Sequence, residues 1–133
     1  MTENKLSLQL KKVHGPLPTS EFELVDGDKV VGFIQIRHKP SHGDGVPAHL
    51  ASHIYYEIRN EYRGKGYGKF ILQLGLREAK KIGLTEVFVT CFESNIASRK
   101  IIEASGGVLI DEDTIPADDQ KMLKYKISIS NLG

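Results

Sequence analysis

A basic glycine cluster, YRGKGYGK, occupies residues 62–69. Its glycines stand at alternate positions, Gly64, Gly66 and Gly68. Its cationic side chains are Arg63, Lys65 and Lys69. The cluster lies between a predicted strand and a predicted helix, where unpaired backbone N–H groups point outward with the positive end of the helix dipole behind them. Because glycines let an anion approach the backbone closely, the cluster predicts an anion site that suits a pyrophosphate.

Two familiar phosphate-binding motifs do not match this cluster. A Walker loop places Ser or Thr directly after its lysine to bind Mg²⁺, whereas Phe70 follows Lys69 here. The dinucleotide fingerprint reads G-x-G-x-x-G early in a βαβ unit, whereas this cluster reads G-x-G-x-G after several predicted strands. The sequence therefore disfavours a nucleotide triphosphatase and a nicotinamide enzyme. A glycine-rich turn with solvated lysines stays as the alternative interpretation.

The hydrophobic pattern predicts the element order β, β, β, β, α, β, α, β, β. An Asp-Gly pair at residues 26–27 joins the second and third strands in a hairpin. After Lys69, apolar residues recur every three or four positions as far as Ile82, which predicts an amphipathic helix of roughly four turns. A second, shorter helix starts near Asn95 and stops at the glycine pair 106–107.

Length and charge bound the class of protein. A chain of 133 residues is long enough for one core, so residues 1–133 are expected to form a single domain. Its formal net charge of +1 excludes the global field that gathers nucleic acid or an anionic membrane. One cysteine, no signal-peptide pattern and no apolar run near the ~20 residues of a membrane span predict a cytoplasmic protein with no membrane partner.

Two motifs, in order along the chain, resemble those of the GNAT superfamily of acetyl-CoA dependent N-acetyltransferases. Residues 63–68, RGKGYG, match the family motif [RQ]-x-x-G-x-[GA]. Residues 95–106, NIASRKIIEASG, are similar to the second helix signature of the family, N-x-x-[AS] followed by aliphatic residues, Glu and Gly. The resemblance covers about residues 21–112 and looks closest to a bacterial branch of largely unassigned substrate.

The resemblance implies an α/β fold, with a central twisted mixed β-sheet of about seven strands flanked by two main helices. The two helices that usually come first are expected to be reduced or absent, because only residues 14–20 join the first two predicted strands. Family members hold coenzyme A in a V-shaped opening between two parallel strands, which match residues 53–60 and 86–91. The implied cosubstrate is acetyl-CoA.

The resemblance also implies which residues contact coenzyme A. The end of the first parallel strand is expected to bond the pantetheine arm through the backbone of Ile58, Arg59 and Asn60. The pyrophosphate is expected in the loop formed by Arg63, Gly64, Lys65, Gly66, Tyr67, Gly68 and Lys69. Asn95 and Ser98 are expected to face the pantetheine and the thiol.

Acetyl transfer to an amine needs a proton acceptor, because most amines are protonated at neutral pH. Strand alternation predicts a polar face that lines the cleft, formed by His53, Tyr55, Glu57 and Arg59. Aligned backward from Arg63, His53 falls where many family members carry a glutamate base. His53 is therefore predicted to be the base, or to order the water that is, with Glu57 as second candidate. A strand histidine that merely bonds a backbone group is the competing interpretation.

The sequence departs from the family pattern at the position of the general acid. The family often places a tyrosine seven residues after the capping Asn to protonate the leaving thiolate, and Ile102 occupies that position here. Tyr67 or Tyr55 is expected to substitute, unless the thiolate leaves unassisted. Cys91 lies on the strand beside the expected acetyl site, but a cysteine in an apolar run behaves as a small hydrophobe rather than as a nucleophile.

Four histidines fall within one 16-residue window, His38, His42, His49 and His53. Imidazoles suit zinc, copper or nickel. These four straddle a loop and two strands without compact spacing, and no carboxylate or thiol completes a fourfold set at a recognisable interval. We expect no metal, and we interpret the histidines as solvated side chains of a loop on the acceptor side.

These inferences predict an N-acetyltransferase that moves an acetyl group from acetyl-CoA to a primary amine by direct attack in a ternary complex. The alternative is a CoA or acyl-CoA binding module without turnover. The missing helices leave the acceptor side open, or walled by the 40–52 loop, or walled by a second copy in a homodimer. The acceptor amine is a small molecule or part of a peptide or protein.

Overall fold

The computed structural model describes residues 6–14 and 18–131. The strands are β1 (Leu6–His14), β2 (Thr19–Asp26), β3 (Lys29–Ser41), β4 (Ser52–Ile58), β5 (Glu86–Phe92), β6 (Val108–Ile115) and β7 (Gln120–Ser128). The helices are α1 (Tyr67–Lys81) and α2 (Ile96–Ala104), and short 3-10 turns occupy Ala48–Leu50 and Asn60–Tyr62. This succession of strands and helices confirms the predicted element order.

All seven strands form one mixed sheet in the order β1-β2-β3-β4-β5-β7-β6, as the α/β prediction requires. Every neighbouring pair is antiparallel except β4 and β5. These parallel strands pair at one point, Ile54 with Val89, whereas β5 pairs with β7 over its whole length. Since β4 continues to Ile58 and β5 to Phe92, the two strands separate toward their carboxyl ends and leave an opening in the sheet.

Both helices cover the same face of the sheet. α1 lies on β3 at Gly75, where an added Cβ would overlap Cδ1 of Ile34. α2 lies over β7, where the Tyr125 hydroxyl donates to Oε2 of Glu103 at 2.8 Å. The three- and four-residue spacing predicted the buried stripe of α1, which consists of Tyr67, Ile71, Leu72, Gly75, Leu76 and Ala79. Helix packing therefore buries one face of the sheet around the opening.

No α-helix of the described residues covers the opposite face. β1 ends at His14 and β2 begins at Thr19, so their connection is too short for two helices. Residues 15–17 of that connection lie outside the described residues. The bare face carries aromatic rings, with Phe33 and Tyr55 centred 5.9 Å apart. Neither described helix is long and apolar enough to cross a membrane.

Candidate functional site

The glycine loop adopts a backbone conformation that favours glycine at two positions. Gly64 has φ 77°, and Gly66, the N-cap of α1, has φ 89°. Residues with a Cβ rarely adopt this left-handed conformation. A Cβ on Gly64 would meet nothing within 4 Å, so conformation rather than space selects glycine there. The loop therefore presents its backbone in a fixed shape at the N-terminus of α1.

The cationic side chains of the loop differ in their partners. Arg63 donates from Nε to the carbonyl oxygen of Ile58 at 3.0 Å, and its Nη2 lies 3.3 Å from Oε1 of Glu57. Lys65 and Lys69 are exposed and form no ion pair with a carboxylate of the described residues. Arg63 thus ties the loop to the end of β4, whereas the two lysines keep their charge available for an anion.

Tyr67 anchors the first turn of α1 rather than the site. Its buried hydroxyl donates to Oδ2 of Asp26 at 2.5 Å, and its ring meets that of Tyr62 edge to face, with centroids 6.2 Å apart. The bond to Asp26 raises the pKa of Tyr67 to about 12. A phenol held in this way is poorly placed to give its proton to a thiolate.

A cavity of about 650 Å³, which we call the loop cavity, lies along the glycine loop, the end of β4 and the start of α2. Nine of the residues predicted to contact coenzyme A line it, namely Ile58, Arg63, Gly64, Gly66, Tyr67, Gly68, Lys69, Asn95 and Ser98. Glu57, the second predicted base, lines it as well. Arg59, Asn60 and Lys65 are exposed and lie outside its lining.

The backbone of β4 offers hydrogen bonds to the loop cavity from alternate residues. The Arg59 N–H donates to the carbonyl oxygen of Val31 on β3 at 2.8 Å. Because backbone groups of successive strand residues point to opposite sides, those of Tyr56 and Ile58 point away from β3, into the opening. The Ile58 N–H therefore faces the opening, whereas the Ile58 carbonyl oxygen accepts from Nε of Arg63 and the Arg59 N–H is bonded to Val31. The pantetheine contacts of Ile58 and Arg59 stay predictions. The pattern missed Tyr56.

A smaller cavity of about 260 Å³, which we call the junction cavity, lies where β4 and β5 begin to separate. The two cavities share four lining residues, Tyr55, Tyr56, Asn95 and Ser98. Asn95 and Ser98 come together as predicted, because Oδ1 of Asn95 caps α2 by accepting the Ser98 N–H at 3.1 Å. The loop cavity and the junction cavity therefore meet at the start of α2.

Residues 42–51 form an outer wall of the junction cavity through Val46 and the buried Leu50. His49 fastens this wall to β6, since its Nδ1 and Nε2 each lie 2.8 Å from a carboxylate oxygen, of Asp111 and Asp113 respectively. Carboxylates only accept, so both ring nitrogens must carry protons. Asp111 and Asp113 accordingly raise the pKa of His49. The loop thus provides a wall, and His49 is exposed, as expected, but it is also ion-paired with β6.

His53 lies at the pairing point of β4 and β5 and lines neither cavity. It is 3% exposed, its Nδ1 accepts the Phe88 N–H at 2.9 Å, and its ring stacks on that of Phe88. Burial, reinforced by Lys124, lowers its pKa to about 4. Any proton taken up by Nδ1 would break the bond to Phe88. His53 therefore holds the two strands together, and its role as base stays a prediction.

Glu57 and Tyr55 form a short polar chain at the border of the two cavities. The Tyr55 hydroxyl donates to Oε2 of Glu57 at 3.3 Å, and the other carboxylate oxygen of Glu57 faces Arg63. Tyr55 lines both cavities, whereas Glu57 lines the loop cavity alone. The hydrogen bond between Tyr55 and Glu57 thus connects the meeting point of the two cavities to a carboxylate that lines the loop cavity.

Tyr56 lines both cavities, and its hydroxyl oxygen is buried. This hydroxyl has no hydrogen-bond partner among the described residues, although Ser98 is a close neighbour. Burial raises the pKa of Tyr56, so the phenol keeps its proton. Ile102, at the usual tyrosine position of the family, is fully buried in the core. Burial also raises the pKa of Cys91 to about 11, which keeps it a thiol.

The four clustered histidines do not converge. Nε2 of His38 lies 2.9 Å from the Ser20 hydroxyl, His42 is exposed, and His49 and His53 have the separate partners described above. Within residues 6–14 and 18–131, no group of three or more His, Cys, Asp or Glu side chains is arranged to hold a metal ion.

Comparison with known proteins gives a family match and several structural relatives. The sequence model of the Acetyltransferase (GNAT) family matches residues 7–106. The fold is similar to that of the spermidine/spermine N-acetyltransferase SpeG of Vibrio cholerae, with a TM-score of 0.73, 13% identity and coverage of 96% of this chain and 95% of that one. A Bacillus subtilis acetyltransferase solved with CoA gives a TM-score of 0.71, 13% identity and coverage of 93% and 99%.

A third similar structure, yncA of Salmonella typhimurium with acetyl-CoA, has a TM-score of 0.69 and 14% identity over 85% of this chain. The chain spans 66% of the length of that protein and 62% of the length of a further acetyltransferase structure. Comparison with curated protein sequences gives no match. At these identities the structural likeness establishes the fold.

We predict that His49 stabilises the loop wall most strongly at low pH. A raised pKa means that the stabilisation is complete below the unfolded value, near 6.5, and is lost as the pH rises through the folded value. The melting temperature of His49→Gln should therefore fall furthest below that of the wild type near pH 5, and the gap should narrow toward pH 9. His42→Gln, in the same loop without a carboxylate partner, is the control. A gap that does not change with pH contradicts the prediction.

Proposed function

Because the chain belongs to the GNAT acetyltransferase family, we propose that it transfers an acetyl group from acetyl-CoA to a primary amine by direct attack in a ternary complex. The meeting of the loop cavity and the junction cavity at the start of α2 is the main support for this proposal. The loop cavity would hold the coenzyme and the junction cavity the amine. The Vibrio cholerae relative is a spermidine/spermine N-acetyltransferase, which supports a small-molecule amine as acceptor.

The loop cavity fits coenzyme A in charge and in backbone geometry. The left-handed Gly64 and Gly66 shape a backbone cradle, and Lys69 in the lining and the exposed Lys65 beside it supply positive charge. Neither lysine forms an ion pair with a carboxylate of the described residues. The backbone groups of Tyr56 and the Ile58 N–H, on the open edge of β4, suit the amides of the pantetheine arm. Acetyl-CoA supplies the thioester carbonyl that the amine attacks.

Glu57 is the better placed of the two predicted bases. Its carboxylate lines the loop cavity and accepts from Tyr55, which lines both cavities. A proton released by the acceptor amine can reach Glu57 through the Tyr55 hydroxyl or through water. His53, whose Nδ1 is bonded to the Phe88 N–H, acts as a positioning residue that fixes where β4 and β5 separate.

Tyr56 is the acid of this proposal. Tyr56 lines both cavities, its hydroxyl has no partner among the described residues by distance and angle, and its neutral phenol has a proton to give to a leaving thiolate. A residue of β4 thereby takes the role that Ile102 cannot fill on α2.

The proposal extends to the whole chain. Residues 1–133 act as one domain, because a single sheet with one buried face accounts for the core. A homodimer is not needed to close the junction cavity, since residues 42–51 supply its wall.

A cytoplasmic location accords with the single, buried Cys91.

The transfer itself is tested by incubating the protein with acetyl-CoA and a panel of amines and detecting both free thiol and acetylated amine. Gly64→Ala should weaken CoA binding in calorimetry by about 10-fold, because a Cβ at φ 77° costs roughly 1–2 kcal/mol. Gly83→Ala carries the same strain beyond the end of α1 and should leave binding unchanged. CoA binding without any acetylated amine would favour the binding-module alternative.

Two variants of His53 distinguish a residue that positions the strands from a catalytic base. The Asn side chain of His53→Asn keeps an acceptor near the position of Nδ1, whereas His53→Leu removes it. If His53 positions the strands, His53→Asn should keep kcat within a few-fold while His53→Leu loses activity and stability. Equal loss of kcat in both variants, with His53→Asn still folded and binding CoA, would restore His53 as the base.

Tyr56→Phe tests whether Tyr56 is the general acid, because kcat should fall while the melting temperature should not. Loss of general acid catalysis should lower kcat by about 100-fold or more while the Kd for acetyl-CoA stays the same. Because the hydroxyl is buried without a partner, its removal should leave the melting temperature equal or higher. An unchanged kcat would exclude Tyr56 as the acid.

A further inference from the structure

The junction cavity has an unusual charge balance for a site that receives an amine. The described residues that line it include no Asp or Glu. Among these residues, Arg37 is the one side chain with a permanent positive charge, and Ser52, Thr90 and Asn95 offer neutral hydrogen-bonding groups. The amine enters a cavity whose fixed charge is positive.

Arg37 is held in place by neutral groups. Its Nη1 donates to the carbonyl oxygen of Ser52 at 3.3 Å and contacts the Ser52 hydroxyl at 3.4 Å. Within the described part of the chain no carboxylate pairs with it, in contrast to Arg63, which faces Glu57 at 3.3 Å. The charge of Arg37 is therefore oriented but not compensated by the protein.

An uncompensated guanidinium selects among acceptors. A carboxylate can pair with two of its N–H groups at once, the strongest hydrogen-bonded arrangement open to arginine. A polyamine brings a second ammonium group instead, which Arg37 repels, and the described residues of the lining offer no carboxylate to hold it. Recognition at this cavity favours an amine that also carries negative charge.

The size of the cavity restricts the acceptor further. About 260 Å³ lies just below the usual range of roughly 300–1,000 Å³ for small-molecule pockets. The apolar part of its lining, which includes Val46, Leu50 and Met122, leaves room for a short side chain. We propose that the acceptor is a small amino acid, whose carboxylate binds Arg37 while its neutral amine faces the start of α2.

This inference rests on the proposed acetyl transfer, and it is tested with matched pairs of acceptors. Glycine, alanine, β-alanine and γ-aminobutyrate are each compared with their carboxamides and with spermidine, at equal concentrations of neutral amine and with saturating acetyl-CoA. The wild type should show a kcat/KM roughly 10- to 100-fold higher for a preferred amino acid than for its carboxamide.

Variants of Arg37 identify the residue responsible. Arg37→Gln should raise KM for that amino acid by the same factor, leave its carboxamide unaffected and keep the Kd for acetyl-CoA. Arg37→Lys should keep part of the preference, and the exposed Lys39→Gln, which removes the same charge outside the cavity, should keep all of it.

The outcomes separate this inference from the proposed function. Transfer to spermidine or to carboxamides in preference to amino acids overturns the amino-acid assignment and leaves acetyl transfer standing. An amino-acid preference that survives in Arg37→Gln excludes Arg37 as its source. Binding of acetyl-CoA with no transfer to any amine overturns the proposed function itself.

Discussion

The separation of β4 from β5 beyond Ile54 and Val89 is the constraint on which the site depends. Interrupting a sheet leaves backbone N–H and C=O groups unpaired, and such groups need other partners. On β5, the Phe88 N–H is satisfied by Nδ1 of His53, so a side chain replaces a ladder bond at the point of separation. Farther along β4, the backbone groups of Tyr56 and the Ile58 N–H point into the opening, whereas the Ile58 carbonyl oxygen accepts from Nε of Arg63. The opening is thus bordered by unpaired backbone groups of β4 that point toward β5.

Charged side chains lie at three places around this opening: the N-terminus of α1, the junction cavity and the end of β4. Lys65 and Lys69 face solvent at the N-terminus of α1, where the helix dipole adds to their attraction for an anion. Arg37 places a second positive charge in the junction cavity. Glu57 is the carboxylate at the border, where Tyr55 connects it to both cavities. Anionic groups are therefore favoured at the N-terminus of α1 and in the junction cavity, and the carboxylate of Glu57 lies between these two places.

Local features of the site could be predicted from the sequence, whereas long-range contacts could not. The glycine loop and the cap formed by Asn95 follow from neighbouring residues, and both form as predicted. Alternation correctly put His53 on the face opposite Tyr56. Tyr55 and Glu57 on the His53 face line the loop cavity, but so does Tyr56 on the other face, which alternation could not indicate. The pairing of His49 with Asp111 and Asp113 spans 62 and 64 residues, and no local pattern encodes it.

A crystal structure with coenzyme A tests most directly whether the coenzyme binds in the opening between β4 and β5, because it shows the position of each part of the coenzyme. We predict the pyrophosphate against the backbone of residues 64–69, the pantetheine arm between β4 and β5, and the sulfur within hydrogen-bonding distance of the Tyr56 hydroxyl. A coenzyme bound on the bare face of the sheet, or a sulfur far from the meeting point of the loop cavity and the junction cavity, would contradict it.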